Sequence, residues 1–360
     1  MKDIVNQNTQ IAPGGRNDTA ALTSEQRRYL IVGPSWIGDM VMAQSLFITL
    51  KQQYPDCLID VLAPGWSLPI LDRMPEVNDG ISADVSHGEF SFFKRRRLGI
   101  SLRTRKYTHA IVIPRSWKSA LIPYFAGIPV RTGYTGEMRY GLLNDRRQLN
   151  KKVLKQTVQR YVAHAGPDNV QSPPEITFPK LRFDTERQAQ LLDTLGLNLE
   201  KPVVCMMPGA EYGPAKQWPL VYYKQLANAL VSNGWQIWVM GSQKDSSAGK
   251  EITGGDTGGI YNLCGKTQLV DAVDLLACAQ TVVSNDSGLM HVAAATGIAV
   301  NVIYGSSTPE YTPPLTSDDK KNIYYLRLDC SPCFKRVCPL GHTDCLYKIN
   351  YEEVYRNIRK

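Results

Sequence analysis

Three short stretches gather side chains that can move protons and hold phosphate. In GPSWIGDM (33–40), Asp39 stands beside Gly38 where a helix is predicted to begin. A carboxylate there can cap the helix. Facing a cleft, it can also take a proton from a substrate hydroxyl. The spacing fits neither the P-loop nor Gly-x-Gly-x-x-Gly, which argues against a nucleoside triphosphatase or a simple dehydrogenase. In PGAEYGPAKQW (208–218), Gly209, Gly213 and Pro214 force an irregular backbone whose amides can face an anion. Lys216 adds a fixed positive charge able to neutralise a diphosphate leaving group, unless the loop faces bulk solvent and the lysine is an ordinary surface residue. SNDSGLMH (284–291) is the strongest signal. Ser287 and the amides of Gly288, Leu289 and Met290 form a helix start that favours phosphate. Asp286, an anion itself, suits orienting Lys216, accepting a sugar hydroxyl or capping the helix. His291 reads as a buried, hydrogen-bonded residue sooner than as a catalyst. A weaker fourth loop, GSQKD (241–245), puts Gly241, Ser242, Lys244 and Asp245 where a nucleoside could lie.

These loops share a grammar of short apolar strand, polar loop and amphipathic helix. Strands are predicted at 29–33, 58–63, 110–113 and near 129–132, with helices at 39–53, 94–106 and 118–125. After a polar, proline-containing stretch (166–182) come helix 185–195, strand 202–206, helix 219–232 and strand 236–240. Helix 244–252, strand 260–263, helix 269–277, strand 281–283, helix 288–295 and strand 299–304 follow. Such alternation implies α/β architecture with parallel sheets wound on both faces, and ligands at the carboxyl ends of the strands. The 360 residues exceed the roughly 250–300 at which one core stops growing. Two doubly wound domains are therefore expected: a polar N-terminal extension at 1–28, a first domain at 29–170, a linker at 171–184, a second domain at 185–345 and a C-terminal helix at 346–360.

With 43% apolar and 21% charged residues, the chain can bury large cores and is neither disordered nor collagenous. Its net charge of +8 is confined to one half: residues 1–170 carry 23 basic and 14 acidic side chains, residues 171–360 carry 18 and 19. The first half should attract an anionic partner. An RNA partner is not expected, since no recognition motif or aromatic platform accompanies the charge. Residues 1–28 do not resemble a secretory signal, so a cytoplasmic location is expected. Phe90, Phe92 and Phe93 precede Lys94, Arg95, Arg96 and Arg97, and Arg103, Arg105 and Lys106 follow. This suits an anionic membrane or lipid phosphates, or equally a solvated helix face. Cys57, Cys205, Cys264 and Cys278 read as reduced core thiols. Cys330, Cys333, Cys338 and Cys345 crowd into 16 residues and fit a structural metal, a local disulfide or plain thiols.

Five stretches together resemble glycosyltransferase family 9: GPSWIGDMVMAQSL (33–46), IDVLAPGW (59–66), KSALIPYFAGIPVRTGYTGEMRYGLLND (118–145), PGAEYGPAKQWP (208–219) and SNDSGLMHVAAA (284–295). The segment CSPCFKR (330–336) is similar to one in the same branch. The resemblance implies a GT-B architecture, two Rossmann-like doubly wound domains facing across a cleft, and a C-terminal helix that crosses back to the first domain. It implies acceptor binding mainly by the first domain and nucleotide-sugar binding by the second. It further implies inverting transfer of L-glycero-D-manno-heptose from ADP-heptose to the first heptose of the lipopolysaccharide inner core. Asp39 would be the general base and Lys216 would steady the diphosphate. Gly209, Gly241, Ser242, Lys244, Asp245, Asp286, Ser287, Gly288, Leu289 and Met290 would hold the donor, and Arg115, Lys118, Arg131 and Arg139 the acceptor phosphates. The implied partners are ADP-heptose, heptosyl-Kdo2-lipid A and the anionic inner face of the inner membrane, with no nucleic acid. No cofactor is expected, and without an Asp-x-Asp motif no metal is expected on the diphosphate. Two alternatives stay open: a family member with a different heptose acceptor, and a non-catalytic nucleotide-sugar-binding module. The joint presence of Asp39, Lys216 and Asp286 argues against the module.

Overall fold

The computed structural model describes residues 26–83, 91–254 and 258–358. One sheet contains β1 (Arg28–Val32), β2 (Leu58–Ala63), β3 (Asp79–Ser82), β4 (His109–Val112), β5 (Val130–Tyr134) and β6 (Asp145–Arg147), in the order β3-β2-β1-β4-β5-β6. The other contains β7 (Val203–Met207), β8 (Gln236–Val239), β9 (Ile260–Asn262), β10 (Thr281–Asn285), β11 (Ala299–Ile303) and β12 (Lys321–Tyr324), in the order β12-β11-β10-β7-β8-β9. Every pairing between these strands is parallel. Helices on both faces explain why the central strands are unbroken apolar runs, such as the fully buried VVCMM of β7.

Strand order reverses between β1 and β4 in the first sheet and between β10 and β7 in the second. Val32 pairs with Val112, and Ser284 with Met207, so the strand ends lie level and their loops leave side by side. These switch points open the crevices where α/β sheets take ligands. The segments that follow β1, β4, β7 and β10 carry Asp39, Arg115, Lys216 and Asp286.

The helix Ile37–Gln53 is buried almost all round, from Met40 through Phe47 and again at Leu50, so its sequence lacks a clean polar face. It is sandwiched between the helices Thr157–Val162 and Gly288–Thr296. One core cluster therefore runs from Tyr29 and Phe47 in the first domain to Val292 and Tyr304 in the second. The connecting segment ties the halves together. The Lys180 amide donates to Gln44 Oε1 at 3.1 Å, Gln44 Nε2 returns a bond to the Lys180 carbonyl at 2.8 Å, and the Leu181 amide bonds the Ala295 carbonyl at 2.9 Å. Arg73 pairs with the buried Asp274 across the same joint at 2.5 Å.

The structure corrects the expected path of the C-terminal helix. Tyr351–Ile358 does not cross to the first domain; it lies on the helix Leu220–Val231, with Val354 fully buried among second-domain residues and Asn357 bonded to the Tyr324 hydroxyl at 2.9 Å. Its single buried apolar position matches the cluster beneath it. The short edge strands β3, β6 and β12 and the helix Thr157–Val162 were not expected. Most of the N-terminal extension, and Phe90, lie outside the described residues.

Candidate active site

Asp39 sits in the first turn of the helix Ile37–Gln53 but does not cap it. Trp36 is the N-cap residue and makes no side-chain capping bond. The half-buried Asp39 carboxylate instead accepts a 3.0 Å hydrogen bond from the Tyr161 hydroxyl at Oδ1. Burial pushes its pKa above the usual carboxylate range. The Tyr161 bond pulls it down, the neighbouring Asp286 charge raises it, and Lys216 lowers it. Asp39 from the first domain thus feels both charged groups of the second.

Lys216 ends the turn Pro214–Lys216 and pairs with Asp286 Oδ2 at 2.5 Å; their side chains are 17% and 5% exposed. The Ser307 hydroxyl donates to the same oxygen at 2.5 Å. Asp286 is therefore a partner of Lys216, as its charge suggested. Asn285 fixes the frame beneath them: its Oδ1 accepts from the Trp218 amide at 2.9 Å and its Nδ2 donates to the Pro208 carbonyl at 2.7 Å. The loops after β7 and β10 are stapled at both ends of the lysine-bearing segment.

Ser287 is the N-cap of the helix Gly288–Thr296 and makes no side-chain capping bond. Four amide hydrogens at a helix start have no intrahelical partner and carry its positive dipole end, which suits phosphate. The start of the Ile37–Gln53 helix lies against it. A Cβ on Gly38 would come within 2.7 Å of His291 Cδ2 and 3.2 Å of Gly288 Cα. Only glycine allows this approach, which brings two positive helix ends together. His291 packs there as a 5% exposed ring, and burial lowers its pKa to about 4. It is neutral and underlies the contact.

The other expected residues divide. Gly209 and Gly241 press on Asp245: a Cβ on either would come within 3 Å of that side chain. Asp245 turns back on its own loop, its Oδ2 accepting from the Ser242 amide and hydroxyl, each at 2.8 Å. It shapes the loop at the carboxyl end of β8. Lys244 pairs with Glu211 at 2.7 Å on the surface. Among the acceptor candidates, Arg115 is exposed and Lys118 half-buried. Arg131 bonds the Leu142 and Ile128 carbonyls, and the buried Arg139 bonds the Pro114 and Tyr134 carbonyls. These bonds hold both guanidinium groups against the backbone.

A cavity of about 340 Å³ opens beside Tyr161 in the first domain, lined among others by Trp36, Arg115, Lys151, Arg160 and His164. Tyr161, Arg160, His164 and Ser307 escaped sequence reasoning, since they fall in segments with no motif. On the outer face, the helix Phe92–Ser101 docks at Gly99 against Phe125 and the Ile122 carbonyl. Phe93 is left 80% exposed. Lys94, Arg96 and Arg97 are exposed as well. Arg95 is buried and Arg105 pairs with Asp60 and Asp79, so the basic face is smaller than its sequence. Cys330, Cys333, Cys338 and Cys345 are free thiols lining one small cavity with His342 and Ala215. Among the described residues no three His, Cys, Asp or Glu side chains are grouped to hold a metal. No helix among them is long and apolar enough to cross a membrane.

Residues 95–344 match the model of glycosyltransferase family 9 (heptosyltransferase). Over 298 residues, 80% of this chain and 86% of the relative, the sequence is 47% identical to lipopolysaccharide heptosyltransferase 2 of Salmonella typhimurium. It is likewise 47% identical to lipooligosaccharide heptosyltransferase 2 of Haemophilus influenzae over 309 residues, 82% of this chain and 88% of the relative. The solved ADP-heptose lps heptosyltransferase II of E. coli superposes with a TM-score of 0.82 at 41% identity, covering 92% of this chain and 97% of that one.

Proposed function

The chain belongs to glycosyltransferase family 9, and from that premise we infer that it is a heptosyltransferase of the second type, moving heptose from ADP-heptose to the lipopolysaccharide core. The acceptor oxygen attacks the anomeric carbon while the bond to the diphosphate breaks. ADP leaves, the hydroxyl proton passes to Asp39, and the anomeric configuration inverts. The observation that carries this reading is the placement of one carboxylate, Asp39, within electrostatic reach of the Lys216–Asp286 pair on the facing domain.

Each group has a task in that displacement. Burial makes Asp39 a better proton acceptor than a solvated carboxylate, and the Tyr161 bond keeps it ionised and aimed. Lys216, together with the uncapped helix start at Gly288, meets the charge that grows on the departing diphosphate. Asp286 and Ser307 hold Lys216 in place before donor arrives. In this reading the charge compensation is assigned to protein groups, and the reading calls for no cofactor.

The basic first domain faces the acceptor, and the exposed Phe93, Lys94, Arg96 and Arg97 form a contact for the anionic inner face of the inner membrane, where the lipid acceptor resides. Mass spectrometry of products from ADP-heptose, with Kdo2-lipid A bearing no heptose or one heptose, tests the assignment. Addition only to the mono-heptosylated acceptor is expected. Addition to the heptose-free acceptor would move the chain to the first-heptose reaction, and addition to neither would overturn transferase activity.

A further inference from the structure

The cysteine-rich segment 330–345 takes no part in the catalytic steps above, yet it braces the frame that holds Lys216. The Ser331 hydroxyl donates to the Gly305 carbonyl at 2.6 Å and the Phe334 amide to the Ser306 carbonyl at 2.7 Å. The Tyr212 hydroxyl donates to the Phe334 carbonyl at 2.7 Å, and the Ala215 amide to the Arg336 carbonyl at 3.0 Å. The Ser306 amide closes the frame by donating to the Ala215 carbonyl at 3.1 Å. The fit is tight. A Cβ on Gly213 would come to 2.6 Å from the Arg336 carbonyl oxygen, and one on Gly305 to 2.7 Å from both Leu346 Cδ2 and the Ala215 carbonyl oxygen. Lys216 follows Ala215, and Ser307, which bonds the same Asp286 oxygen as Lys216, follows Ser306.

Cys330, Cys333, Cys338 and Cys345 line one cavity of about 20 Å³, whose wall includes Ala215 and Ser306. That is room for little more than one water. All four are free, half-buried thiols, but their surroundings differ. The Thr343 amide, followed by those of Leu340, Gly341 and His342, holds the Cys338 thiol below its usual pKa. Burial pushes Cys345 up to about 11, and the charges of Cys330, Cys333 and Cys338 add to that rise, so Cys345 faces all three. Burial also raises Cys57, Cys205, Cys264 and Cys278. The thiolate is the reactive form, so an oxidant meets Cys338 before any of those four.

We propose that Cys338 and Cys345 form an oxidisable thiol pair whose disulfide loosens the brace on Lys216. Hydrogen peroxide is the oxidant. The Cys338 thiolate attacks one peroxide oxygen, the O–O bond breaks, and the departing hydroxide takes a proton and leaves as water. The sulfenic acid that remains is attacked at sulfur by the Cys345 thiol: the S–S bond forms, the S–O bond breaks, and the oxygen leaves as a second water with the thiol proton. Two thiols lose two electrons, and one peroxide becomes two waters. A disulfide fixes its Cα atoms about 5.5–6 Å apart. Arg336 stands two residues before Cys338, and Leu346 directly follows Cys345. A bond drawn across the cavity therefore pulls on the two residues that press on Gly213 and Gly305. Its effect on transfer rests on the role given to Lys216 above.

The test uses the full chain reduced, treated with hydrogen peroxide, and then treated with dithiothreitol. Peptide mapping by mass spectrometry should find a Cys338–Cys345 disulfide after peroxide. By calorimetry the oxidised chain should bind ADP at least fivefold more weakly, and its turnover with a lipid-free heptosylated acceptor should fall at least tenfold. Dithiothreitol should restore both. Cys338→Ser and, separately, Cys345→Ser should match reduced wild type in turnover and show no loss that dithiothreitol reverses. A disulfide that omits either residue, unchanged ADP binding and turnover in the oxidised chain, or the same reversible loss in Cys338→Ser would overturn the pair. So would one equivalent of zinc or iron held by the purified chain and lost in Cys338→Ser, which would assign the thiols to a metal. A chain that loses ADP affinity reversibly on oxidation but transfers heptose in neither state would overturn the transferase reading and leave the thiol pair standing.

Discussion

Removing the Tyr161 hydroxyl isolates what holds the general base in its working state. Tyr161→Phe deletes one bond, the 3.0 Å donation to Asp39 Oδ1, and leaves the ring that packs beside it. A hydrogen bond to a charged group is worth about 1.5–3 kcal/mol. Asp39 already lies above the usual carboxylate range because burial disfavours its charge, and the tyrosine bond is the largest influence pulling it back. Without that bond the protonated form gains, so the acid limb of the kcat/KM profile moves to higher pH. At about 1.4 kcal/mol per tenfold, the ionised fraction below the limb falls roughly ten- to hundredfold, and activity falls with it. Above the limb, where Asp39 is ionised in both proteins, only a small loss from poorer aim is expected. The assay is a kcat/KM profile for both proteins at subsaturating acceptor. An unmoved acid limb, or a loss of the same size at every pH, would refute the inference that Tyr161 acts through the charge of Asp39.

Lys216→Met should cut turnover about 10²- to 10³-fold by removing charge stabilisation of the leaving group, and should also lower the thermal midpoint. It leaves the 5% exposed Asp286 carboxylate unpaired, a loss of about 3–5 kcal/mol in comparable buried pairs. Adding Asp286→Asn should recover the midpoint and not the turnover, and recovery of both would reduce the pair to a structural role. Replacing Lys94, Arg96 and Arg97 together by Ser should weaken binding to phosphatidylglycerol-containing vesicles roughly a hundredfold, at about 1 kcal/mol per basic residue. Transfer to a lipid-free acceptor should not change. Equal vesicle binding by the two proteins would reject that face as the membrane contact.

The sequence was most legible where burial leaves a pattern. The central strands carry unbroken apolar runs, and the helices Thr185–Leu195 and Leu269–Ala277 lie at the positions their periodicity predicts. The edge strands DGIS, DRR and KNIY carry no such run, because at most one residue of each is buried, and they were missed. Glycine and charge at strand ends pointed to Asp39, Lys216 and Asp286, since the switch points of both sheets place those loops together. Tyr161 gave no signal: it meets Asp39 across 122 residues, by the packing of two helices that no local pattern records. Arg131 and Arg139 are the opposite case. A cation in a matching segment looks ready for phosphate, yet Arg131 bonds the Ile128 and Leu142 carbonyls on either side of β5 (Val130–Tyr134), and Arg139 bonds the Pro114 carbonyl after β4 and the Tyr134 carbonyl at the end of β5.

The most direct test of the chemistry is Asp39→Asn, measured by mass spectrometry of heptose transfer to mono-heptosylated Kdo2-lipid A and by calorimetry of ADP binding. The amide keeps the size of the side chain and cannot take the proton. Turnover should fall by roughly 10²- to 10⁴-fold, with ADP affinity within about twofold of wild type because Lys216 and the Gly288 helix start are untouched. Turnover within a few-fold of wild type, or loss of ADP binding in step with turnover, would contradict Asp39 as the base.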